Sequence, residues 1–149
     1  MRAVIQRVTS ASVSVDGNVI SAIQKGLLVF LGVALTDEPK DLEYIVTKIV
    51  DARVFEDENQ KMNRSIRDVG GEILLVSQFT LLGDMRKGHR PDFITAAKRV
   101  PAESMYEEAL QKLRLAGITT YGGVFGADMQ VDLKNDGPVT LLLDSTRLF

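Results

Sequence analysis

The stretch that most constrains this chain is Leu74-Leu75-Val76-Ser77-Gln78-Phe79-Thr80-Leu81. It begins as a continuous apolar run after Gly70-Gly71, the pattern of a buried strand spanning Glu72–Thr80. Three hydrogen-bonding side chains, Ser77, Gln78 and Thr80, then crowd its C-terminal end. Strand alternation places Ser77 and Phe79 on one face and Gln78 and Thr80 on the other. A polar cluster at the end of a core strand costs stability unless each group is satisfied. Gly83-Asp84 follows at once, so the strand is expected to end at a surface opening. On these residues alone, a plain strand end with hydroxyls bonded to neighbouring backbone competes with a functional site.

The elements around this strand follow from local pattern. Met1–Val8 and Ala11–Val15 alternate and read as strands. Asp16-Gly17 is a two-residue hairpin signal, because both turn positions need positive φ. Val19–Ile23 returns as the partner, Lys25-Gly26 turns again, and Leu27–Ala34 is a central strand apolar on both faces. Thr36-Asp37-Glu38-Pro39 opens a helix whose Leu42, Ile45, Val46, Ile49 and Val50 share one face. Ala52–Phe55 reads as a short strand. Leu82–Pro91, with its glycines and basic residues, reads as a mobile or ligand-facing loop. A short helix is expected over 91–98 and a longer one from Pro101 to Gly117. Ile118–Phe125, Met129–Leu133 and Val139–Leu143 read as the last strands. Strands and helices do not alternate regularly, so the expected class is α+β. Its sheet is expected to be mainly antiparallel and barrel-like, with packed helices, in a single domain over residues 1–149.

Composition excludes several classes. With 149 residues, 45% hydrophobic and 26% charged, the chain suits one globular domain. No apolar run has membrane-spanning length and the first residues carry no secretory pattern, so no membrane association is expected. The absence of cysteine excludes disulfides, thiol nucleophiles and thiolate metal sites, and fits a cytoplasmic protein. A net charge of -2 does not suggest a general nucleic-acid binder, and no DNA partner is expected. Arg86, Lys87, His89, Arg90, Lys98 and Arg99 nevertheless form a local basic run opposed only by Asp92. Arg86, Lys87 and Arg90 are the candidates for contacting phosphates; the competing reading is a solvated loop and helix face.

Catalytic motifs are sparse. No metal or cofactor is expected, since the chain has one histidine and no pattern of ligand spacing. A Ser77–His89–Asp84 triad is conceivable, but triads are recognised by geometry. Thr80 is a possible nucleophile without an evident base. The second notable stretch is Asn135-Asp136-Gly137-Pro138-Val139-Thr140. Its Gly-Pro step reads as a plain turn, since only about 5–6% of X-Pro bonds in folded proteins are cis. Were the bond cis, its carbonyls would project from a tip free of side chains.

Together the two stretches resemble the D-aminoacyl-tRNA deacylases, the D-tyrosyl-tRNA deacylase family. Met1–Val8, Gly88-His89-Arg90-Pro91-Asp92-Phe93 and Phe125-Gly126-Ala127-Asp128-Met129-Gln130-Val131 resemble the family as well, and the likeness covers the whole chain. Leu82 and His89 depart from the commoner Tyr and Asn. The resemblance implies a homodimer with active sites at the interface, acting on aminoacyl-tRNA without a cofactor. Ser77, Gln78, Phe79 and Thr80 would form the catalytic pocket. A cis Gly137-Pro138 tip from the partner would admit a D-aminoacyl group or glycine and leave an L side chain no room. Arg7 would brace that tip from the partner chain. Phe125 and Met129 would flank the terminal adenosine, and Ala102 would border the aminoacyl group. Either Thr80 attacks directly, or the ribose 2'-hydroxyl helps activate water; the lack of a general base favours the second. Two other classes stay open: a non-catalytic RNA-binding or dimerisation module, and a Thr- or Ser-nucleophile esterase.

Overall fold

The computed structural model describes residues 1–148. The sequence expectation of two N-terminal strands resolves into one long strand, β1 (Arg2–Val15). Asp16 and Gly17 make the expected hairpin turn, with φ of 50° and 77°. The returning chain is β2 (Asn18–Ile23), followed by β3 (Gly26–Gly32). The expected reversal at Lys25-Gly26 does not occur. β2 and β3 both run antiparallel to β1 and follow one another along it, from Val15↔Asn18 to Arg2↔Gly32. The Gln24-Lys25 step interrupts the pairing without changing its register, since the same number of residues separates Ala11↔Ile23 from Val8↔Gly26 on both strands, and β3 starts where the chain comes close to a later strand. A Cβ on Gly26 would lie 1.8 Å from the Glu72 carbonyl oxygen, so only glycine fits.

The helix after β3 is α1 (Pro39–Asp51), and its five expected apolar residues are all buried. Each such burial is worth about 1.5–3 kcal/mol. Asp37 is not the cap. Its carboxylate instead takes the Met1 ammonium group and accepts the Ala34 amide at 2.6 Å. A two-stranded ribbon, β4 (Phe55–Glu56) with β5 (Met62–Arg64), follows α1. Next comes β6 (Glu72–Ser77), and then α2 (Arg99–Leu115), β7 (Thr120–Gly122) and β8 (Gln130–Asp144).

The mainly antiparallel expectation needs correction: the sheet is mixed. β6 lies parallel to β3, and β7 parallel to β6. The cause is connectivity, because a helix between two strands carries the chain back to the starting edge. α1 does this before β6 and α2 before β7. β8 runs antiparallel along the other edge of β1. Ser21 Oγ of β2 donates to the Gly122 carbonyl of β7 at 2.7 Å, which brings the sheet's far side back towards β1 and leaves a nearly closed barrel.

Two hydrophobic cores result. One lies between helices and sheet and includes Ile5, Leu27, Val29, Leu31, Ile73 and Leu75. The other, on the opposite face of the sheet, includes Val8, Val13, Leu28, Leu74 and Val76. Adjacent residues of β3 and β6 enter different cores, which is why both strands read as unbroken apolar runs.

The remaining differences lie near chain reversals. β6 stops at Ser77 rather than Thr80, and Phe79–Leu82 form a single 3-10 turn. The short helix expected over 91–98 is absent. That segment is tied instead by paired amide–carbonyl bonds between Asp84 and Asp92, and by the Ala97 amide donating to Val33 O at 2.9 Å. The expected strand 118–125 shrinks to β7. The two expected C-terminal strands are one, β8, interrupted by an excursion at Gly137-Pro138.

Candidate functional site

Where β6 ends, the chain opens a cleft of about 480 Å³. Its walls come from the end of β6, the start of α2, and the loop joining β7 to β8. Ser77, Gln78, Phe79, Ala102, Phe125 and Met129, six of the residues expected to form the site, all line it. They come from three distant parts of the chain, so their meeting is a product of the fold. Met129 folds back tightly on the loop backbone, where a Cβ on Gly123 would lie 2.7 Å from its sulfur.

Tyr106, from α2, forms part of the inner wall. Its hydroxyl donates to the Leu75 carbonyl at 2.9 Å, and its ring packs against Phe125 at 5.7 Å between centroids. Burial pushes this phenol up to about 12. Tyr106 is therefore a wall and a hydrogen-bond anchor, and remains neutral at ordinary pH.

The polar end of the cleft is built by the break in β6. The Gln78 amide donates to the Leu31 carbonyl at 2.8 Å, as a continuing strand would. The chain then tightens into the 3-10 turn. The Phe79 and Thr80 amides make no hydrogen bond among the described residues. Of the Gln78, Phe79 and Thr80 amides at this turn, the first is thus already engaged and two are left to meet a developing oxyanion. Gln78 Nε2 donates to Thr80 Oγ1. Thr80 itself is not part of the cleft lining. The Phe79 ring is 58% exposed and meets Phe93 edge-on at 5.0 Å.

The Gly137-Pro138 tip is formed on β8. Between the Gln6↔Thr140 and Val8↔Asn135 pairs, two steps along β1 are opposed by five along β8. The surplus residues bulge outward, and the Gly137-Pro138 bond is cis. Asn135 holds the base of the excursion: its Oδ1 accepts the Val139 amide at 2.8 Å and its Nδ2 donates to Thr140 Oγ1 at 3.0 Å. Gly137 has φ of 131°, and a Cβ there would lie 2.8 Å from Val139 Cγ2 and 3.1 Å from Arg7 Nη2. Both tip residues are exposed, and neither lines the cleft of its own chain.

Arg7, expected to brace a partner's tip, is buried against the tip of its own chain. It donates to the Val54 carbonyl at 2.6 Å and to the Asp136 carbonyl at 3.1 Å. Its Nε also lies 3.3 Å from the Asp136 carboxylate. The guanidinium fork thus ties the tip to the segment before β4.

The basic loop stands apart from the cleft lining. Arg86 is held by Asp84 through contacts of 2.5–3.0 Å, and the guanidinium pulls that carboxyl down to about 2. Lys87 and Arg90 are exposed. The conceivable Ser77–His89–Asp84 triad is not assembled: His89 lies in this exposed loop and Asp84 is engaged by Arg86. No group of three or more His, Asp or Glu side chains suited to a metal ion occurs among the described residues.

Arg99, Tyr106 and Asp128 line the cleft but were not singled out from the sequence as site residues. Arg99 lay within the recognised basic run. The helix expected from Pro101 begins at Arg99 instead, and the Arg99 side chain lines the cleft.

Comparison with known proteins matches this architecture. The family model described as D-Tyr-tRNA(Tyr) deacylase matches residues 4–144. A D-aminoacyl-tRNA deacylase of Clostridioides difficile (strain 630) is 55% identical over 149 residues, covering all of both chains. A solved structure titled c-Myc DNA Unwinding Element Binding Protein is 49% identical, with a TM-score of 0.91 over 97% of this chain and 98% of that one. A second, titled as a probable eukaryotic D-amino acid tRNA deacylase, is 16% identical. Its TM-score of 0.79, over 95% of this chain and 97% of that one, shows the shared fold. A match over nearly the whole chain, joined to the cleft at the end of β6 and the excursion in β8, places this protein in the D-Tyr-tRNA(Tyr) deacylase family.

Proposed function

We propose that this protein hydrolyses the ester of D-aminoacyl-tRNA, and of glycyl-tRNA, and rejects L-aminoacyl-tRNA by a cross-subunit obstruction. The observation that carries this reading is the separation of two parts. Ser77–Phe79, Phe125 and Met129 share one cleft, while the exposed Gly137-Pro138 tip lies outside its lining. A second copy, docking its tip over the cleft mouth, would complete the enclosure. Exposed Leu133, Leu141 and Leu142 on β8, a strand paired only with β1, offer an apolar surface for that association.

In this arrangement Phe125 and Met129 flank the terminal adenosine and Ala102 borders the aminoacyl group. The volume suits an aminoacyl-nucleoside. The tip meets the α-carbon: a D side chain points away from it, glycine has none to exclude, and an L side chain collides. Arg7 keeps the tip at fixed height, acting on its own chain's tip and, across the interface, near the partner's.

Chemistry then requires little beyond positioning. The ester is already activated, so hydrolysis needs an aligned water and stabilisation of the oxyanion. The Phe79 and Thr80 amides are the available donors. Thr80 has no adjacent base and its hydroxyl accepts from Gln78, which disfavours a covalent acyl-enzyme. The ribose 2'-hydroxyl, delivered by the substrate, activates or orients the water. Replacing Thr80 with Ala should therefore leave hydrolysis of D-tyrosyl-tRNA within about tenfold of wild type, where loss of a nucleophile would cost about 10³-fold or more. A trapped acyl-Thr80 adduct would overturn this mechanism.

The substrate's acceptor stem would reach the loop carrying Arg86, Lys87 and Arg90. Lys87 and Arg90 should contribute most, because Arg86 is already paired with Asp84. A cytoplasmic location follows from this substrate, and among the described residues no helix is long and apolar enough to cross a membrane. The DNA-binding title of one solved relative favours a second reading, general nucleic-acid binding. Duplex DNA that fails to compete with tRNA would count against it.

A further inference from the structure

We propose that the Arg99 guanidinium binds the phosphate linking the terminal adenosine of an aminoacyl-tRNA to the nucleotide before it. The proposal rests on the tRNA-ester reading above and adds a phosphate subsite at the mouth of the cleft. Two charged side chains line that cleft, Arg99 and Asp128. Arg99 is the cationic one, placed by the first turn of α2 on the side of the Gly126 loop. A Cβ built on Gly126, which has φ of 75°, would lie 3.4 Å from the Arg99 guanidinium carbon. The guanidinium thus lies within van der Waals reach of the loop that leads to Met129.

This cation is only weakly paired within the protein, through one long i,i+4 contact. Its nearest carboxylate, on Glu103, is 4.0 Å away, and the Arg99 side chain is 72% exposed. No acidic residue occupies the first turn of α2. A cation at a helix N-terminus is disfavoured by the helix dipole, and one long, exposed i,i+4 contact offsets little of that. With adenosine between Phe125 and Met129 and its ester directed towards Ser77–Phe79, the 5' side of the ribose faces outward. The group attached there in tRNA is a phosphate, which a planar guanidinium binds in a fork. Asp128 is the one carboxylate on the same cleft, and its repulsion of phosphate directs the backbone to the Arg99 side.

The test compares two small substrates, 3'-O-D-tyrosyl-adenosine and the same ester of adenosine 5'-monophosphate. Wild type should show kcat/KM about fivefold to tenfold higher for the phosphorylated ester, carried by KM, as expected for one exposed charge-assisted contact. Arg99→Ala should abolish that preference, Arg99→Lys should retain part of it, and Arg99→Glu should invert it. A preference that survives in Arg99→Ala overturns the proposal, as does its absence in wild type. If wild type hydrolyses neither small ester but does hydrolyse D-tyrosyl-tRNA, binding energy from the tRNA body replaces the subsite and the proposal fails alone. If it hydrolyses none of the three, the tRNA-ester reading fails and the proposal with it.

Discussion

Replacing Arg7 by Ala tests how the Gly137-Pro138 tip is held. The side chain is buried and donates to two backbone carbonyls, Val54 O at 2.6 Å and Asp136 O at 3.1 Å. Hydrogen bonds to a charged group contribute about 1.5–3 kcal/mol each, and the abandoned carbonyls keep their desolvation cost. The lower figure is taken for each, since the Asp136 site is only partly buried. Glu56, half exposed and 3.9 Å away, adds little. The expected loss is about 3 kcal/mol. For a chain of this size that lowers the melting temperature by roughly 6–12 °C. Arg7→Lys should recover little, because one ammonium cannot reach both carbonyls with the geometry of a fork. Thermal unfolding gives the first readout, and the ratio of D- to L-tyrosyl-tRNA hydrolysis gives the second. Selectivity should fall in both variants at temperatures where they remain folded. A melting point within about 2 °C of wild type, with selectivity intact, would refute the bracing role.

Three further outcomes follow from the geometry. Gly137→Ala forces a Cβ to within 2.8 Å of Val139 Cγ2 at a φ of 131°, so the tip must shift, and hydrolysis of L-tyrosyl-tRNA should rise relative to the D ester; an unchanged ratio would sink the tip's assigned role. Tyr106 has its ionisation raised to about 12 in the folded protein against an ordinary 10.0. The folded state therefore holds its proton more tightly, so this stabilisation is complete below pH 10 and is lost as pH rises towards 12; the part of the tyrosinate absorbance change that Tyr106→Phe removes should have its midpoint well above 10. Asp84 is lowered to about 2 by Arg86, so its ion pair is fully formed above the ordinary carboxyl value of 3.8 and is lost as pH falls through about 2; a carboxyl NMR titration in Arg86→Ala should move the midpoint back up.

Much of this architecture was legible in local pattern. Asp16-Gly17 identified its turn because few residue pairs accept positive φ twice. α1 was visible because Leu42, Ile45, Val46, Ile49 and Val50 keep helical spacing. The two-sided burial of β3 and β6 was visible in their unbroken apolar runs. Sheet direction was not legible, since it depends on which edge α1 and α2 return the chain to. The step at Lys25-Gly26 looked like a turn because glycine serves both turns and close backbone approaches. It is the approach of Glu72, distant in sequence, that decides between them. The continuity of β8 was hidden for a similar reason: Gly-Pro normally ends a strand, and only pairing with β1 on both sides of the excursion carries it through.

The site was legible to a similar degree. Ser77 and Gln78 stood out as polar groups ending a core strand. Phe125, Met129 and Ala102 entered through a family resemblance, since nothing local distinguishes them from core residues. The positions of Arg99 and Tyr106 in the cleft were not legible because they depend on where α2 starts and on how it packs over Leu75. The Arg7 contacts with Val54 and Asp136 join three segments far apart in sequence, and no local spacing encodes them.

The most direct test is hydrolysis of matched D- and L-tyrosyl-tRNA by the purified protein, followed side by side with chelator present. Rapid loss of the D ester with the L ester preserved is the predicted result, and it would be joined by loss of glycyl-tRNA. Equal loss of both tyrosyl esters would leave an esterase but remove the chiral role of Gly137 and Pro138. Preservation of both by the folded protein would contradict the account and favour a module that binds nucleic acid without acting on it.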